Sequence, residues 1–170
     1  MGSGSGGNYS GTGGSSQPYA DTYKVVANQL QNDKKDPDIY NSSSGYFKNP
    51  TAVSLDSSIS ENRIEFEGHR AEGKMTYVMD KDGNIIFGKR ANPNDARKRA
   101  PHPTLIGGKN PEVQCAGMIE FRKGKIYSVN TSSGHYKPNI KSLEKVDKAL
   151  QQLCDKNPNL FSKDSKWRKK

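Results

Sequence analysis

Apolar and polar residues alternate along the middle of the chain, which is the pattern of half-buried β-strands. The alternation predicts strands at 63–67, 74–79 and 84–88, and an Asp82-Gly83 turn between the last two predicts a hairpin. A second hairpin is predicted from strands near 113–121 and 125–130, which flank a basic turn from Arg122 to Lys125. Together these runs predict an antiparallel sheet of about five strands.

A helical period occurs once before the strands. The apolar positions that would share one face of this helix are Tyr23, Val26, Ala27 and Leu30. Asp21 is a suitable N-cap, and the helix should end before Pro37, because a residue that precedes proline is disfavoured in helical geometry.

A second helical period occurs near the C-terminus, where Pro138 would open the helix and Asn157-Pro158 would end it. Its apolar face consists of Leu143, Val146, Leu150 and Leu153. The predicted fold class is therefore α+β, with an N-terminal and a C-terminal helix packed on the sheet.

The domain organisation follows from shifts in composition. Residues 1–18 are rich in Gly and Ser and are expected to be a flexible linker or tag. Residues 19–162 should form one domain, in which 41–61 is a packed loop or a weak strand anchored by Val53 and Leu55. Residues 163–170 form a basic tail with Trp167 as its large anchor.

The charge balance favours an anionic partner. Lys and Arg number 27 against 18 Asp and Glu, which gives a formal net charge of +9. Such a surplus favours nucleic acid or an acidic protein. No apolar run reaches the roughly 20 residues that a membrane span requires, so no membrane partner is expected. Cys115 and Cys154 lie in no metal-ligand pattern and are interpreted as structural thiols, although a single disulfide remains open.

The segment from Lys89 to Pro103 interrupts the strand pattern and is predicted to be an exposed loop that delivers His102. It is rich in proline and carries five basic residues, which are Lys89, Arg90, Arg97, Lys98 and Arg99. A basic loop of this kind either contacts nucleic acid or forms an ordinary solvated surface.

Two of the chain's three histidines, His102 and His135, bracket the second hairpin. Because a hairpin returns the chain to the end it left, both are expected to line one cleft. A histidine titrates near pH 6.5, so one ring can accept a proton while the other donates one. Metal-independent cleavage of RNA uses such a pair of histidines and needs no cofactor. His69 is interpreted as an ordinary surface histidine.

Further side chains lie close in sequence to these histidines. Tyr136 is a third candidate catalytic residue. The candidate substrate-binding residues are Thr104, Lys109, Ser133, Lys137, Arg97, Lys98 and Arg99. Gly107-Gly108 is interpreted as a turn, because no helical pattern follows it as a phosphate cradle would require. The alternative is that both histidines are ordinary loop residues with local hydrogen bonds.

From Thr76 to Pro138 the sequence resembles a known domain. The segments that carry the resemblance are Y-V-M-D, G-N-I-I-F-G-K, H-P-T-L-I-G-G, A-G-M-I-E-F-R-K-G-K-I and S-G-H-Y-K-P. This order is similar to that of a domain in plant IQ-motif calmodulin-binding proteins, which also appears in fungal proteins and at the C-termini of bacterial Rhs-type polymorphic toxins. The box from Ser133 to Pro138 is its most specific part.

The resemblance implies a toxin module that is secreted, or delivered into a target cell's cytoplasm, as part of a larger carrier protein. Its implied partners are an RNA target and a cognate immunity protein. No IQ calmodulin-binding motif is present, which argues against a calmodulin partner. Pro103-Thr104 stands where the plant pattern has two serines, and the preceding loop is longer and more basic.

Three functions are compatible with these features. The first is a metal-independent ribonuclease with His102 and His135 at its centre. The second is an ADP-ribosyltransferase that uses NAD and modifies RNA or protein, for which Glu120 is the candidate catalytic carboxylate. The third is a non-catalytic binding module in which the Ser133–Pro138 box is a structural turn.

Overall fold

A computed structural model describes residues 16–26, 33–47, 49, 51–92, 95–107, 111–133 and 135–168. For residues 46–47, 91–92 and 95–99 it describes the backbone only. The predicted α+β fold class is confirmed, because a five-stranded antiparallel sheet packs against a C-terminal helix. Lys109, and residues 27–32 of the predicted first helix, lie outside the described residues.

Short strands alternate with tight turns along the chain. The first six are β1 (Tyr40–Asn41), β2 (Tyr46–Phe47), β3 (Val53–Ser54), β4 (Ile59–Ser60), β5 (Arg63–Phe66) and β6 (His69–Arg70). The other six are β7 (Gly73–Met79), β8 (Ile85–Gly88), β9 (Ala91–Asn92), β10 (Asp95–Arg99), β11 (Cys115–Arg122) and β12 (Lys125–Val129). The main sheet has the order β12-β11-β7-β8-β3, and β4, β5 and β6 form a separate three-stranded sheet.

The β11–β12 hairpin is confirmed close to its predicted bounds. Lys123 and Gly124 connect the strands, and both have positive φ angles of 53° and 80°. Positive φ at both central positions is the geometry of the turn that matches the twist of a two-residue hairpin. On its other side β11 pairs with β7 from Cys115 opposite Met79 to Phe121 opposite Gly73. The hairpin therefore lies at one edge of the main sheet.

Two helices are described in full. The four-residue α1 (Pro103–Ile106) follows His102, and the 14-residue α2 (Leu143–Lys156) follows a 3-10 turn at Ile140–Ser142. Val146, Leu150 and Cys154 of α2 are buried against the sheet. Asn157 follows the last residue of α2, as the Asn157-Pro158 signal predicted.

The core lies on both faces of the sheet. The larger cluster packs α2 and the segment 158–167 against sheet residues such as Ile119, Phe121 and Ile126. A smaller cluster on the opposite face joins Tyr23, Val78, Leu105, Val113, Ala116 and Tyr136. The smaller cluster holds the two stretches that contain His102 and His135 against the same end of β11.

Four predicted elements differ from the structure. Tyr23 forms an isolated antiparallel bridge with Val113, so the first helix does not begin at Asp21. The 63–67 strand belongs to the small sheet, and the weak segment at Val53 supplies the fifth strand of the main one. The predicted loop from Lys89 to Pro103 contains the paired strands β9 and β10. The C-terminal helix begins at Leu143 rather than at Pro138, because a 3-10 turn capped by Asn139 comes first.

Both ends of the described chain pack on the domain. Gln17, within the predicted linker, donates its backbone N–H to the carbonyl of Lys137 at 2.7 Å. Trp167, within the predicted tail, is buried and meets the ring of Phe161 edge-on at 5.4 Å between centroids. Cys115 and Cys154 are both buried free thiols. Within the described ranges no helix has the length and apolar character of a membrane span.

Candidate functional site

The Ser133–Pro138 box forms a hydrogen-bonded turn. The backbone N–H of Lys137 donates to the carbonyl of Ser133 at 2.8 Å, and that of Tyr136 donates to the Ser133 hydroxyl at 3.3 Å. Lys137 has a φ of 42°, in the left-handed region that closes such a turn. Ser133 is buried. Its hydroxyl therefore shapes the turn, which limits it as a substrate contact.

Tyr136 anchors this turn in the core. Its ring is fully buried, and its hydroxyl donates to the carbonyl of Pro111 at 3.0 Å. Burial raises the pKa of Tyr136 well above its ordinary value, and the charge of Glu112 adds to the increase. The predicted catalytic role does not fit a buried, neutral phenol whose proton is already engaged. The structure indicates that Tyr136 fixes the position of its neighbour, His135.

His135 forms a close pair with Asp33. The Nε2 of His135 donates to the Asp33 Oδ2 at 2.8 Å, and the two side chains are 19% and 13% exposed. This bond fixes the orientation of the ring. It also leaves Nδ1 as the proton-accepting nitrogen of the neutral imidazole. Among the described residues, that nitrogen has no hydrogen-bond partner.

The N-terminal segment holds the backbone of the box in place. The N–H of Val26 donates to the carbonyl of His135 at 2.8 Å. The Gln17 side chain donates to the carbonyl of Tyr136 at 2.5 Å, and the Asn139 side chain donates back to the carbonyl of Gln17 at 3.3 Å. Residues 16–26 therefore form one wall of the candidate site.

His102 differs from His135 in its surroundings. It is 7% exposed and precedes α1, and its Nε2 donates to the carbonyl of Gly117 at 2.7 Å. Burial lowers the pKa of His102 to about 4, although the bond to Gly117 opposes part of that shift. The ring is therefore neutral at physiological pH. His102 is not the open ring that the sequence predicted, because folding directs its donor nitrogen to the backbone.

His135 acts electrostatically on His102. After burial, the pKa of His102 is lowered further by the charges of His135 and Arg90. Arg90 is exposed.

β11, whose Gly117 carbonyl accepts from His102, packs tightly against the segment that connects β12 to His135. A Cβ built on Gly117 would lie 1.9 Å from the carbonyl oxygen of Asn130, so no other residue fits there. The Tyr77 hydroxyl donates to that same oxygen at 2.7 Å. The Asn130 side chain accepts from the N–H groups of Met118 and Ser132, both at 2.9 Å. This network fixes where the chain leaves β12.

The remaining predicted substrate-binding residues have three different outcomes. Thr104 is buried, and its hydroxyl donates to the carbonyl of Pro101 at 2.7 Å, so it stabilises the start of α1. Lys137 is partly exposed and lies beside His135. The others lie outside the described part of the chain, either as whole residues or as side chains: Lys109, Arg97, Lys98 and Arg99.

Asp33 is the site residue that sequence analysis missed. It lies 102 positions before His135 and belongs to no motif, so no local pattern connects the two. Glu120, the candidate carboxylate for a transferase, accepts from Arg122 Nε at 3.3 Å instead of contacting either histidine. Within the described ranges no group of three or more His, Cys, Asp or Glu side chains is placed to hold a metal ion.

Comparisons with protein-family models, with curated proteins and with solved structures found no match to this chain. The resemblance to the polymorphic-toxin domain therefore consists of the motifs alone.

Proposed function

We propose that this chain is a ribonuclease in which His135, oriented by Asp33, is the general base. The observation that carries the proposal is the 2.8 Å bond between His135 Nε2 and Asp33 Oδ2 in a partly exposed position. A carboxylate that fixes the tautomer of a histidine, and stabilises its protonated form, is a recurring device in acid–base catalysis. His102 has its donor nitrogen on the backbone and is assigned a positioning role.

The proposed cleavage step uses only His135, Asp33 and water. His135 Nδ1 removes the proton from a ribose 2′-hydroxyl while that oxygen forms a bond to the adjacent phosphorus. The bond from phosphorus to the 5′-oxygen breaks, and water protonates the leaving oxygen. The products are a 2′,3′-cyclic phosphate and a 5′-hydroxyl, and the proton on His135 returns to solvent. Asp33 stabilises the imidazolium that forms during the step.

Positive charge around the pair favours a phosphodiester substrate. Lys137 follows His135 by two residues and is partly exposed. The chain as a whole has a formal net charge of +9. Positive groups near a phosphate stabilise the charge that accumulates on its oxygens in the transition state. These features fit RNA better than a neutral substrate.

The motif resemblance extends the proposal to a biological role. A ribonuclease carried by a polymorphic toxin would act on the RNA of a competing cell, and a cognate immunity protein would protect the producer. In that role the chain would be secreted or delivered to the target cytoplasm by its carrier. Expression of the chain in a bacterial host should then stop growth, and His135→Ala should restore it.

The direct test incubates the purified chain with total cellular RNA in EDTA, with and without NAD. The expected result is fragmentation without NAD, with cyclic phosphate ends detected by mass spectrometry. His135→Ala should remove the activity. The matched control is His69→Ala, because His69 is an exposed histidine in β6, which belongs to the separate three-stranded sheet.

Two results would overturn the proposal. Intact RNA in every reaction would exclude ribonuclease activity on the RNAs present. A mass increase that occurs only with NAD would identify a transferase instead.

A further inference from the structure

Five basic side chains surround the turn of the β11–β12 hairpin. They belong to β5, β6, the turn, β12 and the C-terminal segment. We call them the turn cluster: Arg63, Arg70, Lys123, Lys125 and Arg168. None belongs to the candidate site, because they lie at the opposite end of the hairpin.

Hydrogen bonds bring the members of the cluster together. Lys125 Nζ donates to the carbonyls of Asn62, next to Arg63, and of Asn159. Arg168 Nη1 donates to the carbonyl of Phe161 at 3.3 Å. Phe161 forms a parallel bridge with Ile126, the neighbour of Lys125. The fold thus places three basic side chains from distant parts of the sequence beside one another.

The tight turn brings two more arginines to the same place. A Cβ built on Gly124 would lie 3.1 Å from the Cβ of Arg63 and 3.4 Å from that of Arg70. Both arginine stems therefore lie against the turn, one on each of two neighbouring strands. Lys123 is exposed beside them.

The cluster is only partly neutralised. Arg63 pairs with Glu65 at 2.9 Å, and Glu72 accepts from the backbone N–H of Lys123 at 2.9 Å. The pKa of Lys125 is lowered by partial burial first, and then by the charges of Arg168 and Arg63. Like charges held together destabilise a folded chain. Their repulsion is relieved when an anion binds between them.

The distance to the candidate site defines the kind of anion. His102 contacts Gly117, near the start of β11, whereas the cluster surrounds the turn after Arg122. At about 3.4 Å per strand residue, the two ends are roughly 17 Å apart. A ligand that reaches both must be an extended polyanion.

We propose that the turn cluster binds the phosphodiester backbone of an RNA strand whose cleaved bond lies at His135, a substrate-positioning role that rests on the proposed function. Contacts to phosphates fix the position of a strand without reading its sequence. The cluster should therefore increase affinity for long RNA equally across sequences. It should have no effect on a dinucleotide, which cannot reach it.

The test compares Arg70→Gln/Lys123→Gln with the control Lys81→Gln/Lys148→Gln. Each variant removes two exposed positive charges, and the control sites lie in the β7–β8 turn and on α2. Binding of a long single-stranded RNA is measured against salt concentration, in a His135→Ala background so that the RNA survives. The cluster variant should bind more weakly. Its slope of log affinity against log salt should fall by about 0.7 for each phosphate that the variant no longer binds.

Cleavage supplies a second readout in chains that retain His135. The cluster variant should raise KM for the long RNA and leave cleavage of a dinucleotide unchanged. Equal affinity and equal salt slopes for the cluster and control variants would overturn the proposal, and that is the result expected if the cluster serves an acidic protein instead. A chain that cleaves no RNA, but whose RNA binding is weakened in the cluster variant, would refute the ribonuclease alone.

Discussion

At the scale of single residues, the two histidines illustrate how burial assigns different roles to the same side chain. His135 keeps an accepting nitrogen available and has a carboxylate behind it. His102 is 7% exposed and is bonded to a backbone carbonyl. Their order along the chain predicted that both lie near one end of the hairpin. It could not predict which ring would remain open, because that depends on packing by residues far away in the sequence.

The low pKa of His102 leads to a prediction about stability. The folded chain holds this ring neutral down to about pH 4, whereas an unfolded histidine accepts a proton near pH 6.5. Between these values the unfolded state binds more protons, so the stability that the neutral ring provides above about pH 6.5 is lost as the pH falls. At about pH 5 the expected loss is about 2 kcal/mol, relative to neutral pH.

Urea unfolding of the parent chain and of His102→Gln, each at about pH 5 and at neutral pH, measures this loss in the free energy of unfolding. Glutamine can still donate to the carbonyl of Gly117, but it does not titrate, so the variant should lack this component. Equal pH dependence in the two chains would show that His102 is not held neutral by the fold.

At the scale of elements, the strongly patterned parts of the fold were predictable. The β7–β8 and β11–β12 hairpins follow from alternation and turn residues, which act locally. The two-residue strand β3 and the bridge at Tyr23 were not predictable, because their pairing depends on tertiary contacts. Asp33 was not predictable for the same reason. A pair that joins residues 102 positions apart leaves no trace in a local pattern.

The contact between β11 and the chain after β12 leads to a prediction about Gly117. In Gly117→Ala the added methyl would meet the carbonyl of Asn130 at 1.9 Å, so the backbone must move. Overpacking of this kind costs about 1–3 kcal/mol or more, and it should displace the turn that carries His135. Both the free energy of unfolding and the activity on RNA should therefore fall.

Met118→Ala is the matched control, because Met118 is the next residue and is only partly buried. If Gly117→Ala matched that control in stability and activity, the close approach of the two backbones would be refuted.

At the scale of the whole molecule, the main sheet connects the candidate site with the turn cluster. The candidate site and the turn cluster lie at opposite ends of β11, which is an eight-residue strand. Packing of α2 and residues 158–167 on one face makes β11 a rigid spacer between them. A strand of RNA held at both ends would be presented to His135 in a defined register.

The most direct measurement is the single-turnover rate of cleavage of one RNA in EDTA by the parent chain, His135→Ala, Asp33→Asn and His69→Ala. We predict that His135→Ala slows cleavage by about 10²–10⁴-fold. Asp33→Asn should also slow it, because the carboxylate no longer stabilises the imidazolium. His69→Ala should retain the parent rate. A parent chain that cleaves the RNA at a rate unchanged by His135→Ala and Asp33→Asn would contradict the central claim.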